Sequence, residues 1–338
     1  LGPFKLLWRG DEVIGVDWPK LAVVQKLRRK FGFRGPLVIG GSPALDYDHI
    51  APRFGYKGLW PKPLPTDDER LTKAMLQALH ALDVLVRRTG GEGYGNWVYE
   101  GLDEPGGHPQ RRSTHLWEMK LAKRAGLRTY VTMNRSGYAE RVAPYVDIIC
   151  LVPLWAVGSE ESNRSAREFC RKHGNEFWYY GVGSYLGQEG GLFPNRYLAG
   201  FLFFKSGAKG CAIWIYQNVK DDPWDDFDGN KFGEAKDAML TYPGPEGPVD
   251  TLQWEGIREG IMDCRYLDTI EHLLRALPSS PQKERIRRRF ERLVNSLPWL
   301  CDPEYEGLDN AACERWRKEA VELLLELTRI SQSRARKG

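Results

Sequence analysis

Short β-rich apolar runs alternate with longer amphipathic stretches over the first two thirds of the chain. The runs Leu37–Gly41, Asn96–Gly101, Arg128–Thr132, Val146–Leu151, Glu176–Val182 and Cys211–Tyr216 predict strands. Between them lie helical patterns. In Asp67–Arg88, apolar positions Leu71, Met75, Leu79, Leu82 and Val86 recur at helical spacing; Thr66-x-x-Glu69 reads as a capping box and Gly90 as the stop. Ser113–Ala125, Glu160–His173 and Pro194–Ser206 follow, each ended by a glycine. Strands alternating with helices predict parallel βα units, and hence an α/β fold of the (β/α)8 TIM-barrel type. Six strands are legible. Phe4–Arg9 or Asp11–Val16 is expected to add one before the helix Pro19–Phe31, and no eighth is evident, so the barrel reads as incomplete at its N-terminus.

After Pro248 the period is helical throughout, in Leu252–Leu277, Pro281–Leu297 and Asp309–Ile330. The expected organisation is a barrel domain over residues 1–250 and a C-terminal helical region over 251–338 packed on it. The run Arg285, Arg287, Arg288 and Arg289 falls mostly outside the apolar stripe of Ile286, Phe290, Leu293, Val294 and Leu297. It reads as a solvated helix face, not a nucleic-acid surface.

With 338 residues, 42% hydrophobic and 28% charged, the chain has ordinary globular composition. A net charge of +4 points to no polyanionic partner, and no apolar run approaches the roughly 18 residues of a membrane span. Six Cys without a CxxC pair predict buried thiols, and no metal-ligand spacing is present. The chain opens at Leu1 without a signal segment and reads as a processed or truncated piece, which fixes no compartment. Twelve Trp is the unusual count; several fall near strand ends, where an indole suits either core packing or the apolar face of a sugar ring.

Candidate chemistry starts at Asp103-Glu104-Pro105, just past the strand Asn96–Gly101. Two neighbouring carboxylates at the carboxyl end of a barrel strand supply an acid/base group and a charge stabiliser where such folds place their chemistry. The competing reading is a helix cap, because Asp ahead of Pro commonly starts a turn. Other strand ends carry Asn134, Trp155 and Tyr185, and the last strand leads through Trp214 and Tyr216 into the acidic loop with Trp224 and Asp225. Carboxylates that accept and an indole that stacks suit sugar hydroxyls. Alternatives fail on spacing. Gly90–Gly95 follows a helix where a phosphate loop follows a strand, Asp226–Lys231 lacks the calcium-loop glycine, and the six His form no HExxH. No GxSxG elbow is present.

Three stretches together resemble the catalytic domain of glycoside hydrolase family 123. They are Tyr99-Glu100-Gly101-Leu102-Asp103-Glu104-Pro105; Asn195-Arg196-Tyr197 with Lys205–Trp214; and Tyr242-Pro243-Gly244-Pro245 followed by Leu252–Leu267. The last is the most diagnostic, and it lies in a predicted helix. Members of that family usually carry a β-sandwich ahead of the barrel, which this sequence lacks. The resemblance implies a β-N-acetylgalactosaminidase-like, retaining, substrate-assisted glycosidase without cofactor or metal. Glu104 would protonate the leaving oxygen and Asp103 would orient the substrate's 2-acetamido group. Arg196, Trp214, Tyr216 and Trp224 would shape the sugar pocket. Two rivals stay open. One is a glycosidase for a sugar without an acetamido group, with Asp222 or Asp225 as nucleophile; the other is a non-catalytic carbohydrate-binding barrel.

Overall fold

The computed structural model describes residues 4–41, 43–134, 136–182, 191–214, 216–218, 224 and 238–335. It is a mixed α/β structure whose parallel sheet has six strands in chain order. These are β3 (Leu37–Gly40), β4 (Trp97–Glu100), β5 (Thr129–Met133), β6 (Ile148–Leu151), β7 (Glu176–Val182) and β8 (Gly210–Trp214). The βα alternation is therefore as the periodicity predicted, while an eight-stranded closure is not found among the described residues. The candidate seventh strand is corrected: β1 (Lys5–Arg9) and β2 (Glu12–Asp17) pair with each other as an antiparallel hairpin. Gly10, at φ 57°, allows the tight reversal between them.

The chain divides into two compact units, Leu1–Leu151 with Phe169–Glu176, and Val152–Glu168 with Phe177–Gly338. In the first unit the hairpin is followed by α1 (Pro19–Phe31), then β3, a π-helical turn (Ala44–Ile50) and α2 (Glu69–Gly90). Helix α2 buries Leu71, Ala74, Met75, Ala78, Leu79, Leu82 and Val86 on one face. Each of its large apolar side chains contributes about 1.5–3 kcal/mol by leaving water. Its cap is Asp68, whose carboxylate accepts the Arg70 N–H, and not the Thr66 box expected two residues earlier. Asp68 wins because it is also anchored from elsewhere, by the Tyr56 hydroxyl at 2.9 Å. Next come β4, α3 (Arg112–Arg124), β5, α4 (Ala139–Val142) and β6. The strands β3 to β6 pair in parallel, with Gly40 opposite Glu100, Glu100 opposite Tyr130, and Thr132 opposite Cys150. Because side chains alternate across a strand, Glu100, Tyr130 and Thr132 share one face, and Tyr99 points to the other.

The second unit holds α5 (Pro153–Val157), most of α6 (Glu160–His173), the bulk of β7, α7 (Leu192–Ala199), α8 (Phe201–Ser206) and β8. The single helix expected over Pro194–Ser206 is broken at Gly200 into α7 and α8. Short strands β9 (Gln217–Asn218), β10 (Ala238–Met239), β11 (Thr241–Gly244) and β12 (Gly247–Asp250) lead into α9 (Leu252–Ala276), α10 (Pro281–Ser296), α11 (Pro303–Glu306) and α12 (Asn310–Ala335). Helices α7 and α9 meet backbone to backbone. A Cβ on Gly256 would lie 2.5 Å from Leu192 O, and one on Gly260 2.4 Å from Arg196 O. Only glycine permits that approach. The six cysteines are free thiols, with Cys150, Cys170 and Cys313 buried and Cys301 exposed.

Candidate active site

The chain leaves β4 through Gly101-Leu102-Asp103-Glu104 and enters a single 3-10 turn at Pro105–Gly107. Glu104 sits at φ 45°, ψ 53°, the one positive-φ residue other than glycine among the described residues. That left-handed conformation costs about 1–2 kcal/mol for an L-residue, and the following proline disfavours it further. Neighbouring interactions hold it there. Glu104 N–H donates to Thr132 Oγ1 at 3.0 Å, and Asn134 Nδ2 donates to Glu104 Oε2 at 2.9 Å. Asn134 reaches that far because it lies against Gly107, where a Cβ would stand 2.9 Å from Nδ2.

Thr132 links three acidic residues. Its hydroxyl donates to Asp103 Oδ1 at 2.5 Å, accepts from the Glu104 amide, and lies 3.5 Å from Glu100 Oε1. A hydroxyl has one proton to give, and the short contact takes it for Asp103. Asp103 is exposed, and Glu104 and Glu100 are half-buried. Burial, and after it the charge of Asp103, push the Glu100 carboxyl from 4.5 up to about 8, against an opposing pull from Thr132. Glu100 therefore keeps its proton through neutral pH, beside the Asp103 carboxyl. The helix-cap reading of Asp103-Glu104 is not what the structure has: neither side chain caps the 3-10 turn, and their bonds run to the end of β5.

Glu100 and Thr132 were not singled out from the sequence. Their signal was the period of two, which sets a glutamate at the end of an apolar strand on the same face as a threonine two strand positions past its neighbour. Sequence reasoning chose Asp103, Glu104 and Asn134, and the structure brings these three together around Thr132. A cavity of about 480 Å³ in the same unit lies at the opposite, amino-terminal ends of β4 and β5, lined by Asp83, Arg87, Asn96, Trp97 and Arg128. The carboxyl ends are the usual reactive face of parallel βα folds, so the three acidic residues, and not this cavity, form the candidate site.

Residues 158–270 match the family described as glycoside hydrolase 123, catalytic domain. That segment is similar to the family's catalytic domain. Among solved structures it is similar to a family 123 glycoside hydrolase from Clostridium perfringens studied for glycolipid glycan hydrolysis. The identity is 15% and the TM-score 0.49 over 81% of this chain and 46% of the other. The chain thus spans about half the length of that enzyme. No curated protein matches it significantly.

The matching segment contains neither Asp103 nor Glu104. Its physical content is helix packing in the second unit, and Arg196 shows why. Expected at the sugar, Arg196 is 1% exposed, and its guanidinium binds inward. Nε donates to Asp263 Oδ2 at 2.7 Å, and Nη1 donates to Asn310 Oδ1 at 2.9 Å and to Glu314. Arg317 completes the network, on Asp263 and, at 2.5 Å, on Glu259. Burial works against the Arg196 charge, but the bonds to Asp263 and Glu314 outweigh it and raise its pKa. Arg196 is accordingly a tie between α7, α9 and α12.

The remaining candidates also belong to the second unit. Trp224 is 60% exposed and stacks on Tyr242, ring centroids 5.1 Å apart. Tyr216, 46% exposed, accepts from Thr241 Oγ1 at 2.7 Å and meets Trp254 edge-on. Trp155 is half-buried in α5. Trp214 ends β8, with its side chain outside the described residues, as are Tyr185, Asp222 and Asp225 altogether.

Proposed function

We propose that this chain hydrolyses glycosides by substrate assistance, removing β-linked N-acetylhexosamine of the GalNAc type, with Glu104 as general acid and Asp103 as orienting carboxylate. The observation that carries the reading is the joint anchoring of Asp103 and Glu104 on Thr132 and Asn134 at the carboxyl ends of β4 and β5. A carboxylate held on a hydroxyl is suited to accept the N–H of an acetamido group as its carbonyl oxygen attacks the anomeric carbon. The neighbouring carboxyl, held at Oε2 by the Asn134 amide, would serve the leaving group. Asn134 accommodates either protonation state of Glu104, since turning its amide presents Oδ1 in place of Nδ2.

Assistance by the substrate removes the need for an enzyme nucleophile, so both carboxyls can serve one side of the ring. Glu100 supports this choice. Held protonated up to about pH 8, it is no ready nucleophile at neutral pH. The exposed Trp224 on Tyr242 offers an aromatic plane of the kind that sugar rings stack on, which suits a carbohydrate ligand.

Replacing Glu104 with Gln should lower turnover of an unactivated disaccharide on the order of 10²–10⁴-fold, as expected for loss of a general acid. An unchanged rate there would remove Glu104 from the mechanism. A thiazoline analogue of the acetamido sugar should inhibit strongly; indifference to it would favour a separate carboxylate nucleophile. Glycan binding without cleavage across a panel would leave the binding-module reading.

A further inference from the structure

Arg111 is a buried cation that the fold leaves without a counter-charge. It ends the second of the two 3-10 turns that follow Glu104, Pro105–Gly107 and Pro109–Arg111, and stands at the N-cap position of α3. Only 8% of it is exposed, yet among the described residues its guanidinium makes no hydrogen bond and no ion pair. Nε is sealed from solvent without a partner; Nη1 and Nη2 lack partners too and are not sealed. What holds the group is the indole of Trp60, whose ring centroid lies 4.2 Å from Cζ. A cation over a ring is held by the field of the ring and spends no N–H.

Trp60 is itself fixed. Tyr47 meets it edge-on, centroids 5.0 Å apart, and Tyr47 O–H donates to Lys62 O at 2.8 Å. Leu64 N–H donates to Thr114 Oγ1 at 2.9 Å, which pins the segment after Trp60 to the first turn of α3. Trp60 is 39% exposed, so the pair lies at the surface. It belongs to the connection leaving β3 and Arg111 to the connection leaving β4, both at the carboxyl ends where Asp103 and Glu104 lie. The local charge is positive. Arg112 comes next, its Nε and Nη2 taken by the carbonyls of Pro105 and Gly106 at 3.2 and 2.6 Å, with no carboxylate partner among the described residues. The first turn of α3 carries no acidic residue, so two arginines oppose the helix dipole. Burial lowers the Arg111 pKa, yet an arginine stays charged at neutral pH. Burying that charge unpaired costs more than one ring recovers. A bound anion would offset all three costs.

We propose that Arg111, held by Trp60, is a subsite for an oxyanion carried by a sugar, either a uronate carboxylate or a sulfate ester. The guanidinium fork presents N–H donors to two oxygens of either group. The exposed part of the indole suits the apolar face of the sugar that carries it. That this sugar is part of a substrate rests on the glycosidase reading above; its binding at Arg111 does not.

Saturation-transfer NMR titrations with methyl β-glucuronide, N-acetylgalactosamine 6-sulfate and uncharged N-acetylgalactosamine test this on wild type, Arg111→Lys and Arg111→Met. At least one charged sugar should bind wild type about tenfold or more tighter than the uncharged one, and which one does so names the anion. The preference should vanish in Arg111→Met and weaken in Arg111→Lys, a point charge without the fork. No binding of any sugar, equal affinity for charged and uncharged sugars, or a preference that survives in Arg111→Met overturns the subsite. Melting temperatures guard against a folding defect. Removing an unpaired buried cation should leave Arg111→Met as stable as wild type or more so. A fall of several degrees would show Arg111 tied within the protein and would also overturn the proposal. Should a charged sugar bind through Arg111 while no glycoside is cleaved, the glycosidase reading falls and the subsite stands.

Discussion

The first unit's acidic cluster and the second unit's ion network both bring several charged groups together, yet they are built on opposite terms. Around Asp263 every charge is answered: Arg196 and Arg317 bind it, and Glu259, Asn310 and Glu314 take their remaining donors. Around Thr132, the acidic residues Glu100, Asp103 and Glu104 all lie on one hydroxyl, Glu104 through its backbone N–H. Asp103 faces solvent, and Glu104 is held in a strained backbone conformation. Groups that satisfy each other fully hold helices together. Acidic groups gathered on one hydroxyl beside a strained backbone are a pattern that reactive sites commonly show, at a cost in stability.

The two regions should therefore separate cleanly under mutation. Asp263→Ala strands two guanidiniums in a buried setting and should destabilise the protein by about 3–5 kcal/mol in urea unfolding. Turnover per folded molecule should be retained. A loss well below 1 kcal/mol would show that the network is not what holds α7, α9 and α12. In the first unit, Gly107→Ala drives a methyl into Asn134 and should cost on the order of tenfold in rate by displacing it from Glu104. Its melting temperature should hardly move; a large drop would mark Gly107 as merely structural.

The pH response discriminates more finely. A carboxyl raised from 4.5 to about 8 binds its proton more tightly in the folded chain. Its contribution to stability is complete below about pH 4.5 and is lost as pH rises through about 8. Glu100→Gln, which cannot ionise, should flatten that fall in stability. It should also remove the decline in turnover above about pH 8, where a second negative charge would form beside Asp103. A pH–rate profile unaltered in Glu100→Gln would detach Glu100 from the site. The smallest effect belongs to Glu104→Gly. Relief of the left-handed strain should slightly exceed the entropy glycine adds to the unfolded chain, a net gain of roughly 1 kcal/mol or less. Thermal stability equal to or above wild type with turnover lost is the expected pair of results, and a marked fall in melting temperature would contradict the strain argument.

Much of the fold was legible. Helices α1 and α6 and strand β7 fall where their periodicity put them, and β3 to β6 and β8 differ from expectation by one or two residues at their ends. Failures came where a distant contact outweighed a local pattern. Tyr56 selects Asp68 over the Thr66 capping box, and the close packing of α7 on α9 accompanies the break at Gly200. The hairpin of β1 and β2 read as a barrel strand because an apolar run does not state its pairing partner. In the site, Asp103, Glu104 and Asn134 could be picked from their place after strands. Glu100 carries no such mark in the sequence, because a raised pKa is a property of burial and neighbours.

Sequence by itself determined the βα alternation, the carboxyl pair at a strand end and the resemblance to glycoside hydrolase family 123, since periodicity, adjacency and motif are local in the chain. Only the tertiary structure decided that Arg196 ties helices and that Glu100 and Thr132 join the acidic pair. Those facts depend on strand register and on which face of β4 each side chain takes. Both are set by packing between segments 30 or more positions apart, such as Glu100 with Thr132 and Arg196 with Asp263, and residue identity alone does not encode them.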